Sequence, residues 1–187
     1  MFVQVIQGRV RDAEAARATM DRWLGGLQPG AVGWLGGTYG FTDAGMLCAI
    51  VRFDSRESAA KNSQRPEQGA WWREMEALFE GPVEFHDCDD VTLMLDGGSD
   101  DAGFVQVIRG KVDDAATLKK MMTDTEQLHE MRPDIIGGTL AIEEDGTFIE
   151  TIAFTDEASA RAGEQIEMPE DVRRAMESAM HDVSYTD

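Results

Sequence analysis

A chain of 187 residues, 42% of them hydrophobic, is long enough for one large domain or two small ones with ordinary cores. Its 17 basic against 36 acidic residues give a formal net charge of −19, a surface that repels phosphates and so argues against nucleic acid or anionic membrane as a partner. With no basic leader before the first apolar segment and no run of about 18 apolar residues, the chain is expected to be cytoplasmic. Cys48 and Cys88, without C-x-x-C spacing, are expected as two reduced thiols and not as a disulfide framework or zinc site.

"FVQVIQGRV" (2–10) is rich in β-branched residues and predicts a strand. Residues 12–26 place Ala15, Ala16, Thr19, Met20 and Trp23 at helical spacing, with Asp12 as the N-cap and Gly25 as the stop. "AVGWLGGTYGF" and "GMLCAIVRF" predict two strands of a hairpin turned at "TDAG". "DSRESAAKNSQ" starts a helix from a Ser or Asp cap, Pro66 interrupts it, and "EQGAWWREMEALF" resumes it. "PVEFHDCDDVTLML" is the closing strand region, which completes a βαββαβ, ferredoxin-like order.

The chain then repeats itself. "FVQVIRGKV" (104–112) matches the opening segment at seven of nine positions, and "GGT" at 36–38 meets "GGT" at 137–139. Gly45 meets Gly146, Phe53 meets Phe154, and "WREMEALF" at 72–79 meets "RRAMESAM" at 173–180. The predicted organisation is a repeat over 1–95, a Gly/Ser/Asp-rich linker over 96–102 and a second repeat over 103–187. In strand three, Leu47, Ala49, Val51 and Phe53 form one row, and Met46, Cys48 and Ile50 form the other, broken by Arg52. Both rows want burial, yet the two helices of such a motif cover only one face. The expected fold is therefore α+β: two tandem ferredoxin-like repeats whose antiparallel sheets pack face to face as an intramolecular dimeric α/β barrel. The chain would be a monomer with an internal pseudo-dimer, or a homodimer. Cys48 and Cys88 would sit on strands separated by strand one, about 9–10 Å apart and beyond disulfide reach.

This order, the strand-to-helix junctions "RFDSRESAA" and "AFTDEASA", and the aromatic second helix "WWREMEALF" resemble the dimeric α/β-barrel superfamily, in particular antibiotic biosynthesis monooxygenase-like domains, here as a fused tandem. The resemblance implies a pocket between sheet and helices for a small-molecule ligand. Members include cofactor-free oxygenases of aromatic polyketides, haem-degrading enzymes, isomerases and proteins of no assigned activity, so the fold alone does not fix the chemistry. The Asn, Trp and His set that the resemblance would require for haem degradation, with the histidine on the second helix, is carried by neither half. No cofactor is expected, and no metal, since His86, His129 and His181 lack ligand spacing.

All four tryptophans lie in the first half; Val172 and Arg173 stand opposite Trp71 and Trp72, and Ala153 opposite Arg52. A pocket is therefore expected in the first repeat. Trp71 and Trp72, about 100° apart on a helix, either wall that pocket or divide between core and interface. Trp23 fits the core stripe of its helix. Trp34 and Tyr39 flank "LGG", whose glycines suggest a bulge or close approach, and either line the pocket or pack. Arg52 would hold an anionic substrate group or form an inter-sheet ion pair, and His86 would act as a general base or stay structural. Gln4, like Gln106 at the matching position, needs a hydrogen-bond partner or a ligand. By resemblance, Asn62 would hold a carbonyl or oxygen. These readings leave three functions open: a small-molecule-binding, monooxygenase-like protein acting on an aromatic or polyketide-like compound; a non-catalytic accessory or stress protein with a packed interior; and an assembly module pairing through an exposed helix tryptophan.

Overall fold

The computed structural model describes residues 1–187, the side chains of Glu126, Gln127 and His129 excepted; the reading of His129 lies outside the described residues. The chain divides into two compact units, Met1–Asp89 and Asp90–Asp187. Among the described residues no helix is long and apolar enough to cross a membrane.

The first unit runs β1 (Phe2–Arg9), α1 (Ala13–Gly26), β2 (Trp34–Phe41), β3 (Met46–Phe53), α2 (Arg56–Ser63), α3 (Pro66–Glu76) and β4 (Glu84–Cys88). Its four antiparallel strands take the order β2-β3-β1-β4. Local chemistry sets the element ends. The Asp12 carboxylate accepts from the Ala15 N–H at the start of α1, and the Ser55 hydroxyl accepts from the Ser58 N–H at the start of α2, each satisfying a donor the helix leaves open. Pro66, which has no N–H to lose, opens α3. The β2–β3 hairpin turns through Gly45 at φ +78°, and its counterpart in the second unit through Gly146 at φ +80°, a conformation that costs other residues more.

Strand register fixes which side chains share a face. Phe2, Gln4 and Ile6 lie opposite Phe53, Val51 and Ala49, and all belong to the row that faces the helices, where Phe2 and Phe53 pack with Trp23. Val3 and Val5 lie opposite Arg52 and Ile50 in the other row. Both rows are buried: Val3, Val5, Ile50 and Cys88 are closed to solvent, as are Phe2 and Phe53. Cys48 and Cys88 are free thiols on the two strands that flank β1.

The second unit runs β5 (Asp90–Met94), β6 (Phe104–Val112), α4 (Ala115–Thr123), α5 (Thr125–Met131), β7 (Ile135–Ile142), β8 (Thr147–Phe154), α6 (Glu157–Gly163), α7 (Glu170–Ala179) and β9 (Met180–Thr186), with strand order β5-β7-β8-β6-β9. β6 to β9 repeat the first sheet: Phe104 lies opposite Phe154 as Phe2 lies opposite Phe53. The bulge at Trp34/Gly36 recurs at Ile135/Gly137, as the "GGT" pair suggested. At Gly137 a side chain is also excluded by the Gly97 carbonyl oxygen, which occupies the place of a Cβ.

The repeat boundary differs from the one expected at residue 95. The closing region is two strands and not one. Glu84–Cys88 pairs with β1, whereas Asp90–Met94 pairs with Ile142–Gly138 and forms the edge of the second sheet. The break at Asp89 separates them. Periodicity sees only a continuous apolar-alternating run there, because both halves satisfy the same period.

Candidate functional site

In the first unit a cavity of about 120 Å³ lies between the helix-facing row of the sheet and α1, α2 and α3. Its wall is mostly aromatic. The Trp23 ring lies 5.6 Å from Trp34 and 6.3 Å from Trp71, and Trp71 lies 6.0 Å from Trp72, so the four indoles form a chain of tilted neighbours. Leu47, Ala49 and Val51 of β3 supply the floor. The exposed Leu24 and Ser63, at the ends of α1 and α2, mark the side open to solvent.

Hydrogen bonds hold this wall in place. Trp71 Nε1 donates to the Thr19 carbonyl at 2.8 Å, and Trp23 Nε1 donates to Gln68 Oε1 at 2.6 Å. The Tyr39 hydroxyl donates to Asp21 Oδ1 at 2.8 Å. Burial, and then the carboxylate of Asp21, push the phenol above its usual pKa of 10.0, so it stays a donor. Asn62 is 7% exposed, and its Oδ1 accepts from Arg65 Nη1 at 2.9 Å. Gln4 donates to Asp87 Oδ1 at 2.8 Å. The indole Nε1 of Trp34 is buried without an acceptor among the described residues, an arrangement that costs free energy until something accepts from it.

Six of the residues singled out in the sequence come together on this wall: Trp34, Tyr39, Trp71, Trp72, Gln4 and Asn62. Trp23, expected as core, is both core and wall. Arg52 and His86 are not on it. His86 lies opposite Val5, and Arg52 opposite Val3, in the row that points away from the helices; neighbours on a strand face opposite sides of the sheet. There, burial lowers the pKa of Arg52 below the ordinary guanidinium value, and His86 Nε2 lies 3.7 Å from Glu84 Oε2. Gln68 was missed, although it precedes Trp71 by three positions and therefore shares its helix face. That spacing was the available signal.

The second unit departs from this arrangement at its matching positions. Leu47 and Ala49 are replaced by Phe148 and Glu150, and Asn62 by Gly163, where the guanidinium of Arg132 occupies the space a side chain would need. Arg132 is held there by Asp134 at 2.8 Å. Glu150 is buried among Ile108, Leu140 and Phe148, and burial pushes its pKa up to about 7. Among the described residues no cluster of His, Cys, Asp and Glu has the geometry to hold a metal ion.

No family model and no curated protein matches this sequence. Its fold has counterparts among solved structures. Candidate monooxygenases from Fusobacterium nucleatum subsp. nucleatum and Lactobacillus acidophilus each align with 99% of this chain at 9% identity. The first has a TM-score of 0.73 over 89% of its own length and the second 0.72 over 91%. An anthrone oxidase-like protein aligns with 99% of this chain and 89% of its own at 10% identity and a TM-score of 0.64. At such identities it is the fold that is shared, and it is shared over both repeats.

Proposed function

We propose that the first unit binds a planar aromatic small molecule in the cavity between its sheet and helices, and acts on it as a cofactor-independent monooxygenase. The carrying observation is the cavity itself, about 120 Å³ walled by four indoles. Water leaves such a surface readily, and flat rings stack on it. An apolar cavity of roughly 150 Å³ takes up benzene, so this one suits a single ring, with the remainder of a larger substrate toward Leu24 and Ser63. The monooxygenase-like fold and the anthrone oxidase-like neighbour support the chemistry. In this reaction type dioxygen oxidises an activated ring CH2 to C=O: one oxygen atom stays on carbon, the other leaves with the two hydrogens as water, and no external reductant is consumed. Asn62 would hold the ring oxygen, and Tyr39, anchored on Asp21, would keep the ring edge in place.

A second reading, binding without turnover, is favoured by one observation: His86 lies off the cavity wall, so no imidazole of this unit is available there as a base. Tryptophan fluorescence titrated with aromatic ketones and quinols tests the site. Saturable quenching is expected, weakened at least tenfold in Trp72→Ala and Trp71→Ala proteins that keep their circular dichroism. A flat titration with every ligand rules the site out. Oxygen uptake with a bound substrate separates the two readings.

A further inference from the structure

The hydrogen-bond polarity of the cavity wall is set by partners that work in one direction only. A guanidinium donates and never accepts. Arg65 Nη1 therefore fixes Asn62 with its Oδ1 toward Arg65, at 2.9 Å, and its Nδ2 turned away. Arg65 is itself anchored, through Nη1 on the Leu27 carbonyl at 3.1 Å and through Nε on Glu67 at 2.9 Å. An indole N–H is likewise a donor only. Trp23 therefore takes Gln68 Oε1, at 2.6 Å, and leaves Gln68 Nε2.

On the sheet side the logic reverses. The Asp87 carboxylate accepts, so Gln4 turns its Nε2 to Asp87 at 2.8 Å and leaves its Oε1. Arg56 Nη1 pairs with Asp87 Oδ2 at 3.1 Å. An amide can turn either its oxygen or its nitrogen to a neighbour. Here each has a partner that tolerates only one orientation. No hydrogen bond among the described residues uses the three remaining amide atoms.

Resting on the binding site proposed above, we infer that its ligand is a keto-phenol type of ring. A carbonyl or similar acceptor faces α2 and α3, where Asn62 and Gln68 present N–H groups, and a hydroxyl or N–H faces β1, where Gln4 presents its oxygen. Asn62, Gln68 and Gln4 determine this specificity; Arg65 acts through Asn62 and Trp23 through Gln68 as positioning residues. A fully reduced ring carrying only hydroxyls meets the helix-side donors with a phenolic oxygen, a weaker acceptor than a carbonyl. A ring carrying only carbonyls leaves the Gln4 oxygen unmatched.

Calorimetric titration of the full chain with para-hydroxyacetophenone, acetophenone, para-ethylphenol and ethylbenzene tests this, because the four differ in polarity and hardly in size. The hydroxyketone is expected to bind tightest and ethylbenzene weakest, each matched group contributing about fivefold to tenfold. Gln68→Met should reduce the gain from the carbonyl and keep the gain from the hydroxyl, and Gln4→Met should keep the first and remove the second. Equal affinity for all four probes overturns the polarity inference and leaves the binding site standing. Failure of all four to bind overturns both.

Discussion

Glu150 is the residue at which the two repeats differ most in chemical consequence. Where the first unit has Ala49 on its cavity floor, the second has a carboxyl group that is 7% exposed, opposite Ile108 and Leu140. No hydrogen bond or ion pair reaches it among the described residues. Burial disfavours the charged form and raises its pKa from 4.5 to about 7. Between those values the unfolded chain releases the proton while the folded chain keeps it, so stability is lost as pH rises from about 4.5 to about 7 and stays lost above. The loss amounts to roughly 3 kcal/mol. Urea unfolding of Glu150→Gln is therefore expected to match the parent near pH 4 and to exceed it by roughly 3 kcal/mol near pH 8. An equal difference at both pH values would show that the carboxyl is not buried as described. At Trp23, replacement by Phe keeps the ring but frees Gln68 Oε1. Loss of carbonyl selectivity is expected with little change in affinity for ethylbenzene, measured by the same titration.

Among the elements, the helix starts carry the most local information and give a direct test. Ser55 caps α2 through its hydroxyl, and Ser55→Ala is expected to cost about 1 kcal/mol in thermal or urea unfolding. Such caps, with β-branched strands between Gly and Asp turns, are why the βαββαβ order was legible, and the duplication checked it twice through Gly45 and Gly146 or Phe53 and Phe154. The orientation of each row was less legible. Alternation separates Arg52 from Val51 and Phe53, but it does not say which row meets the helices; that depends on where α1 and α3 cross the sheet. Trp71 and Trp72 raised the same difficulty. About 100° apart, they both reach the cavity because it spreads across the face of α3: Trp71 is tied back to α1 through Thr19, and Trp72 leans toward Phe85 at 5.4 Å. The amide orientations were not legible at all, since they depend on Arg65, Trp23 and Asp87 meeting Asn62, Gln68 and Gln4 in space.

For the molecule as a whole, a formal charge of −19 stores self-repulsion that salt relieves. Raising the ionic strength from about 0.01 M to about 0.15 M shortens the screening length from roughly 30 Å to roughly 8 Å. The melting temperature is expected to climb by a few degrees over that range, as read by differential scanning calorimetry. A fall would mean that attractive pairs such as Arg161 with Asp187 outweigh the repulsion. The strand Asp90–Met94 has a practical consequence for anyone dissecting the chain. Severing it at residue 95, where composition suggests a seam, strips the second half of its outermost ribbon and bares the amides and carbonyls of β7 along Gly138–Ile142. Such an open margin recruits other chains into aggregates. A cut immediately before Asp90, which keeps that ribbon on the C-terminal fragment, leaves the margin sheathed.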